Sequence, residues 1–516
     1  SGEVRIKHSL NKNEEAFVVK RRKTVLKSLQ KLKIHCSKDA VPNIALLGSG
    51  GGQRAMVGLL GSLVQLDKAG LLDCILYLSG SINTPKLSGP GVRWGDAFAK
   101  LKKYYYEKDI FSLTDLWAAI VVTTYVKEVF TGQHNKHKND PFPIYTVIDK
   151  QCKQNREGDP WFEISPHEAG YSLIGAFVKT SSFGSQFDDG CKIKDQPEMD
   201  MLYLQALCGS AIADMDENKN YIWQTIRVLF VQFVFSSTDP NSPPADKCSQ
   251  VLMDLVVMNL SVLNGIDPFD LHESIRTNLN ELTGGKSQHI FQVEKLNLAD
   301  KEAAKLHMRK YTLDICACLS VSFSFWPFST ICKCAVWRIW GTKYDFLHNM
   351  TDKTVPRALL ESETRDYIDA GVLLNSPYFS VLREERDIDL IISLDFSDDD
   401  PFMTVREAAE TCKKLKIPFP EVNIPSEDVK KPNDFYVFKG KNAPTVIHIP
   451  LFNVVNCGDD IDTWRYKYGT FSSSYSAEMI TKLMEVAGKN ISNNRAKLLK
   501  QIHAAIGQKH NKQHCD

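Results

Sequence analysis

The amino-acid sequence predicts an α/β protein with a mostly parallel central sheet flanked by helices. An apolar run at 44–47 is followed by five residues that include four glycines, and then by an apolar repeat at helical spacing. A second apolar run at 73–78 completes a strand–helix–strand unit of the kind that joins parallel strands. A third apolar run, 388–396, is also followed by a helical repeat, so the pattern recurs late in the chain.

The composition is that of a globular protein. The chain has 516 residues, 43% of them hydrophobic and 24% charged, with 63 Lys and Arg against 62 Asp and Glu. These values exclude collagen-like and disordered classes, and a net charge of +1 leaves no basic footprint for a nucleic-acid partner. The apolar runs are too short or too interrupted for a membrane-spanning helix of about 20 residues. Thirteen cysteines, an odd number, without an apolar leader predict free thiols and a cytoplasmic location.

Residues 1–40 are predicted to form a basic amphipathic helix. Within 13–33 the apolar side chains Phe17, Val25 and Leu29 recur at helical spacing, and Lys and Arg residues occupy much of the remaining face. Such a helix could rest on anionic lipid, or it could be a surface helix that packs its apolar stripe on the core. The sequence leaves both interpretations open.

Residues 41–507 are predicted to form one catalytic domain. The first strand is followed by a helix predicted at 53–69. Further strands are predicted at 388–396, 435–438 and 446–449, and a further helix is predicted at 403–415. The region from about 217 to 343 lacks the strand–helix alternation and is interpreted as an inserted cap or lid. The last residues, 508–516, are polar and are expected to form a frayed tail.

The most informative feature is the glycine turn, Gly48-Ser49-Gly50-Gly51-Gly52. A turn between a strand and a helix collects unpaired NH groups at the positive end of the helix dipole, so it binds an anion. A dinucleotide site would also need an acidic residue after the next strand, where none stands. A hydrolase site would use the NH groups of Gly51 and Gly52 for an oxyanion and would need a serine there, where Leu78-Ser79-Gly80-Ser81 lies. A plain tight turn is the third interpretation.

The segment from Ala45 to Met56 resembles the glycine-rich oxyanion loop, with its following arginine, of the cytosolic phospholipase A2 family, whose members are relatives of the patatin-like lipid acyl hydrolases. Other segments resemble the gamma-type members in the same order along the chain: Trp161-Phe162-Glu163-Ile164, Leu173-Ile174-Gly175-Ala176-Phe177, Trp340-Gly341-Thr342, Asp369-Ala370-Gly371 and Asp395-Phe396-Ser397. The resemblance extends from about residue 15 to about residue 500.

This resemblance implies a dyad of a serine and an aspartate, without a histidine. The resemblance implies that Asp369 is the base and that Gly51 and Gly52 are the oxyanion donors. It implies that the substrate-binding residues are Gly50, Arg54 and Arg386. Arg386 matches a basic residue that is thought to face the substrate phosphate in the family. Its neighbours Arg383, Glu384 and Glu385 make a solvated charge cluster an equally good interpretation.

The chain departs from the family at the nucleophile. The family has a Gly-[Leu/Val]-Ser-Gly-Ser elbow, whereas Gly80 is followed here by Ser81-Ile82-Asn83-Thr84-Pro85, and Ile82 falls at the position of the nucleophile. About twenty residues expected of the family are missing before its pattern resumes. Either the position is vacant, or Ser79 replaces the lost serine on a turn that has moved three residues earlier. Hydrolysis by this chain is therefore expected to be weak or absent.

The function implied by the resemblance is that of a phospholipase A2 or lysophospholipase. Such an enzyme hydrolyses glycerophospholipid or lysophospholipid esters at a membrane surface, in peripheral association with intracellular membranes. The chain begins too close to its glycine turn to hold the calcium-binding C2 module of larger members, so calcium-independent activity is expected. No cofactor or metal is expected, because the cysteine pairs at 316–318 and 332–334 lack the spacing of zinc knuckles. The alternative is a catalytically impaired lipid-binding pseudoenzyme, and a dinucleotide-dependent oxidoreductase ranks third.

Overall fold

The structure is a computed structural model, and it describes residues 3–50, 52–80, 94–122, 140–155, 160–209, 245–263, 266–285, 298–322, 330, 334, 339–469 and 475–513. The chain divides into two compact units. The first comprises Ser1–Val92, Val121–Ala211 and Lys343–Asp516, and the second comprises Arg93–Ile120 and Ile212–Thr342. Among the helices in the described ranges, none is long and apolar enough to span a bilayer.

The strands in the described residues are β1 (Val4–Ile6), β2 (Ile44–Gly48), β3 (Tyr77–Gly80), β4 (Phe142–Asp149), β5 (Trp161–Ile164), β6 (Glu168–Tyr171), β7 (Ala176–Lys179), β8 (Gln186–Asp188), β9 (Cys191–Lys194), β10 (Thr342–Tyr344), β11 (Thr364–Asp369), β12 (Leu390–Asp395), β13 (Tyr436–Phe438) and β14 (Thr445–Pro450). Within the described part of the chain, twelve of them form one sheet, in which the order β1-β7-β6-β5-β4-β3-β2-β12-β14-β13 is joined by β10 and β11. Strands β8 and β9 pair separately.

The predicted α/β class is confirmed, but parallel pairing is limited to the centre of the sheet. Strands β4, β3, β2, β12 and β14 are parallel to one another. On one side β5, β6, β7 and β1 add antiparallel strands, and β13 does so on the other. The connections β5–β6 and β6–β7 are short turns, and such turns can join only antiparallel neighbours. The sheet is therefore mixed, where the sequence predicted a mostly parallel one.

The helices of the first unit are α1 (Lys12–Lys31), α2 (Gly52–Lys68), α5 (Lys150–Asn155), α6 (Met201–Cys208), α10 (Tyr378–Val381), α11 (Met403–Leu415), α12 (Ser426–Lys430), α13 (Val454–Cys457), α14 (Ile461–Lys467), α15 (Ala477–Asn493) and α16 (Arg495–Gln513). The predicted strand–helix–strand unit is confirmed, since α2 links the parallel strands β2 and β3. The apolar faces of α1, α2, α15 and α16 and one face of the central strands share a buried core.

The second unit is helical in its described residues, with α3 (Trp94–Glu107), α4 (Leu113–Trp117), α7 (Ala245–Leu263), α8 (Phe269–Thr283) and α9 (Lys301–Ser322). The amide of Asn259 on α7 donates to the hydroxyl of Thr312 on α9 at 2.9 Å. The boundaries of its second range, Ile212–Thr342, nearly coincide with those of the segment interpreted as a cap or lid, about 217 to 343. The first range, Arg93–Ile120, was not included in that prediction.

The end of the chain differs from the predicted frayed tail at 508–516. Helix α16 continues to Gln513, and the last three residues lie outside the described part. The side chains of Ala505 and Ile506 pack into the core, and the Lys509 ammonium lies 2.7 Å from the Asp389 carboxylate. These contacts hold the helix beyond residue 507, although its exposed face is polar.

Candidate active site

The glycine turn lies at the carboxyl end of β2, where α2 begins. The backbone NH of Ser49 donates to the carbonyl of Leu394 on β12 at 3.0 Å, and the NH of Phe396 donates to the Ser49 hydroxyl at 2.7 Å. Helix α2 begins at Gly52 with φ +63°, a conformation that favours glycine. Gly51, the other predicted oxyanion donor, lies outside the described residues.

Asn375 binds this turn to the segment that follows Asp369. Its backbone carbonyl accepts a hydrogen bond from the Gly50 NH at 2.9 Å, and its side-chain amide donates to the Gly50 carbonyl at 3.2 Å. The same amide nitrogen lies 3.2 Å from the hydroxyl of Ser397, after β12. A Cβ atom on Gly50 would lie 2.6 Å from the Asn375 amide oxygen, so a larger residue at position 50 would have to displace this amide. Asn375 was not among the predicted site residues, and nothing but its place in the family-like segment distinguished it.

Asp369, the predicted base, is the last residue of β11 and is 7% exposed. One carboxylate oxygen accepts a hydrogen bond from the Gly371 NH at 2.7 Å, which caps the short 3₁₀ turn Ala370–Val372. The Cys208 thiol is a close neighbour. Burial, and then the negative charge of Asp369, raise the pKa of this thiol well above its usual value, so the sulfur stays protonated.

Strands β3 and β11 meet along one edge of β4. Strand β3 pairs with the first residues of β4, with Ser79 opposite Ile144, and β11 pairs with the last, with Asp369 opposite Val147. The opposite edge of β4 is taken by β5. Three residues of strand span about 10 Å, so the Asp369 carboxylate lies beyond the carboxyl end of β3. That is where the predicted nucleophile elbow would begin.

The sequence is similar to that of known proteins over nearly its whole length. The chain is 33% identical to mouse (Mus musculus) cytosolic phospholipase A2 gamma in an alignment that is 556 residues long. The alignment covers 96% of this chain and 92% of the relative. It is 32% identical to the human protein of the same name, with 98% and 97% covered. The chain belongs to the cytosolic phospholipase A2 family. This confirms the family resemblance.

A solved structure supports the fold of this family member. Human GIVD cytosolic phospholipase A2 superimposes with a TM-score of 0.64 at 18% identity, covering 98% of this chain and 69% of that chain. No family model matches the chain.

In this phospholipase family member, Ser79 does not have the setting of a nucleophile. It lies inside β3, paired on both edges, and its side chain is fully buried. Its hydroxyl is hydrogen bonded to the hydroxyl of Ser380 at 2.9 Å. A nucleophile needs an exposed turn between strand and helix, so the prediction that Ser79 replaces the lost serine is not supported. Ser81, the next serine, lies outside the described residues.

Arg54 holds two loops at the carboxyl edge of the sheet. It is 1% exposed, and its guanidinium donates to the carbonyls of Phe396 and Tyr468 and pairs with Asp398 at 3.0 Å. These contacts favour a role in supporting the loops over the predicted role in binding the substrate.

Arg386 has neither of its predicted roles, because it is fully buried in an ion-pair network. Its guanidinium donates to Glu14 at 2.9 Å and to Glu163 at 2.7 Å. Arg383 also binds Glu163, at 2.8 Å. Burial alone would raise the pKa of Glu163, but the two arginines outweigh it and hold this pKa at about 2. Arg386 is therefore a structural residue, neither solvated nor directed at a substrate.

Proposed function

We propose that this chain hydrolyses ester bonds of glycerophospholipids or lysophospholipids at a membrane surface, slowly and without calcium. The observation that carries the proposal is the junction of the glycine turn with the Asp369 segment through Asn375. It supports a site at the carboxyl ends of β2 and β3, where the glycine turn would supply the oxyanion donors and Asp369 would be the base. The relatives that share about a third of the sequence are named phospholipases, which supports a lipid ester as the substrate.

In the proposed mechanism Asp369 accepts the proton of a hydroxyl nucleophile as that oxygen attacks the ester carbonyl. The NH groups at Gly51 and Gly52, with the positive end of the α2 dipole, stabilise the oxyanion. Collapse of the intermediate expels an alcohol, which is the lysolipid from a phospholipid or the glycerophosphoryl alcohol from a lysophospholipid, and this alcohol takes the proton from Asp369. Water then attacks the acyl-enzyme, which releases the fatty acid and restores the hydroxyl. Each role is filled by a carboxylate, a hydroxyl or a backbone amide, so this sequence of steps has no role for calcium.

The membrane would meet the edge of the sheet that carries the glycine turn. Exposed apolar side chains follow strands that end at this edge, namely Leu373, Met403 and Val455, which are 37%, 47% and 53% exposed. Apolar side chains of this kind favour contact with lipid. Peripheral association with intracellular membranes is part of the proposal.

The basic helix α1 is a poorer candidate than this edge for the contact with the membrane. Its Arg21 donates to the carbonyl of Ile75 and its Arg22 to the carbonyl of Val41, both at 3.0 Å and both before a strand begins. These two arginines therefore serve the fold, at the amino ends of β2 and β3. In vesicle co-sedimentation, Met403→Asp with Val455→Asp should weaken binding, whereas Lys23→Glu with Lys27→Glu on α1 should not. The opposite pattern would assign the membrane contact to α1.

A second candidate function is that of a catalytically impaired lipid-binding protein. The burial of Ser79 and its hydrogen bond to Ser380 favour it, because they remove the serine that could have replaced the missing nucleophile. Such a protein would bind the same lipids without turning them over.

The deciding experiment treats the purified chain with a long-chain fluorophosphonate and maps the labelled residue by mass spectrometry. Turnover of phospholipid and lysophospholipid vesicles is measured beside it, with and without a calcium chelator. Labelling together with chelator-insensitive turnover is the expected result. Vesicle binding without labelling or turnover would support the impaired protein, and loss of turnover with the chelator would contradict calcium independence. A chain that neither binds vesicles nor reacts would contradict both functions.

A further inference from the structure

We propose that Asn375 is a positioning residue that sets the distance between the oxyanion turn and the Asp369 carboxylate. The inference rests on the proposed function, because it assigns a role within that site. It adds a side chain that neither accepts the proton nor binds the oxyanion, but that decides whether the groups that do so are correctly placed.

The contacts of Asn375 reach two other segments of the chain. Its backbone carbonyl and its amide nitrogen hold the NH and the carbonyl of Gly50, at 2.9 and 3.2 Å, so the peptide groups on both sides of this glycine are fixed. The amide nitrogen also lies 3.2 Å from the Ser397 hydroxyl, on the loop after β12. Both hydrogens of the amide therefore have acceptors, one on each loop.

Asn375 is also connected rigidly to Asp369. The chain between them is a tight turn, in which the NH groups of Leu373 and Leu374 both donate to the Ala370 carbonyl, at 3.0 and 2.8 Å. The Asp369 carboxylate caps the start of this turn. A shift of the Asn375 amide would therefore change the position of the glycine turn relative to the Asp369 carboxylate.

The Asn375 amide oxygen lies close to the glycines on both sides. A Cβ on Gly50 would lie 2.6 Å from the Asn375 amide oxygen, and a Cβ on Gly371 would lie 3.1 Å from the same atom. The amide thus fills the space between the oxyanion turn and the turn of the base. Oxyanion donors act only when they stand at the position where charge develops, so a displacement of about 1 Å can cost on the order of a hundredfold in rate.

The test compares Asn375→Ala with a matched control, Asn456→Ala. Asn456 is also half-buried, and its amide nitrogen also donates to one backbone carbonyl and one side chain, those of Leu451 and Asn490, while its amide oxygen accepts from the Asn453 NH. Both variants should lose melting temperature to a similar extent. Only Asn375→Ala should lower kcat, by about a hundredfold, with KM changed less than about threefold.

A second readout separates positioning from a merely structural role. We expect Asn375→Ala to bind a long-chain alkyl phosphonate, which presents a tetrahedral anion, at least about thirtyfold more weakly, and to bind the matching neutral alcohol as wild type does. Equal losses for both ligands, or no loss for either, would overturn the proposal.

Hydrogen exchange at the amides of residues 50–53 tests the proposal without any ligand. Exchange there should become at least about tenfold faster in Asn375→Ala and stay unchanged in Asn456→Ala. If wild type neither hydrolyses vesicles nor binds the phosphonate, the proposed function has failed, and this contrast still decides whether Asn375 holds the turn. Unchanged exchange in Asn375→Ala would overturn the inference whatever the activity.

Discussion

Replacing Arg386 with Gln gives the clearest test of the buried ion-pair network. The Arg386 side chain is completely buried, and its donors reach Glu14 at 2.9 and 3.2 Å and Glu163 at 3.0 and 2.7 Å. In the variant Glu163 keeps Arg383, but Glu14 keeps only the neutral hydroxyl of Tyr77 among these neighbours, at 3.0 Å. Loss of one partner from a buried ion pair typically costs about 3–5 kcal/mol, and we expect a loss in this range.

The assay is urea unfolding at pH 7, followed by tryptophan fluorescence. The matched control is Arg357→Gln, because Arg357 is 90% exposed and its pair with Glu361 is surrounded by water. We expect no measurable change in that variant. A second variant, Arg386→Gln combined with Glu14→Gln, should be less destabilised than the sum of the two single changes, since the unpaired charge is removed. Arg386→Gln with wild-type stability and a raised KM for phospholipid would refute this reasoning and restore the predicted contact with the substrate.

Three further outcomes follow from single contacts. Because the pKa of Glu163 is about 2 in the fold against an ordinary 4.5, its ionised form contributes about 3 kcal/mol above pH 4.5. This contribution is lost as pH falls toward 2, so the stability difference between wild type and Glu163→Gln should shrink over that window in urea unfolding, and a constant difference would contradict the network. Gly50→Ala should press on the Asn375 amide and reproduce the kinetic loss of Asn375→Ala, and wild-type kcat would speak against that contact. Ser79→Ala should keep any fluorophosphonate labelling and lose about 1 kcal/mol of stability, whereas loss of the label would restore Ser79 as the nucleophile.

Local patterns were sufficient to predict much of the centre of the sheet, although not β4. The strand at β2, the glycine turn and α2 follow from apolar periodicity and from the conformational freedom of glycine, and the structure has each of them. The helix predicted at 403–415 is α11 with the same bounds. The resemblance named Asp369 but not its place in the fold, which is the last residue of β11, opposite Val147 of β4.

The environment of Arg386 could not be predicted from its neighbours. The segment Arg383-Glu384-Glu385-Arg386 predicts a solvated charge cluster, because its two positive and two negative charges balance locally. The carboxylates that bind Arg386 lie 223 and 372 positions away in sequence, on β5 and α1. Only the fold brings these charges together, and no local pattern distinguishes a buried arginine from a solvated one.

The structure of the chain's end could not be predicted for a similar reason. Lys509 and its neighbours look polar in sequence, yet the lysine bonds Asp389, 120 positions earlier, and Ile506 packs into the core. Asn375 is a third case, since its partners Gly50 and Ser397 lie 325 and 22 positions away. Contacts between distant segments determine the environments of Arg386, Lys509 and Asn375. Local sequence patterns do not record such contacts.

Vesicle turnover by Asp369→Asn tests the central claim most directly, since that carboxylate is the proposed base. Asp366→Asn is the matched control, because it makes the same change on the same strand, at a half-buried position. The account predicts measurable, calcium-independent turnover by wild type, a loss of at least about a hundredfold in Asp369→Asn, and a change below about threefold in Asp366→Asn. Turnover by Asp369→Asn within about tenfold of wild type, with both variants folded, would contradict the claim that Asp369 activates the nucleophile.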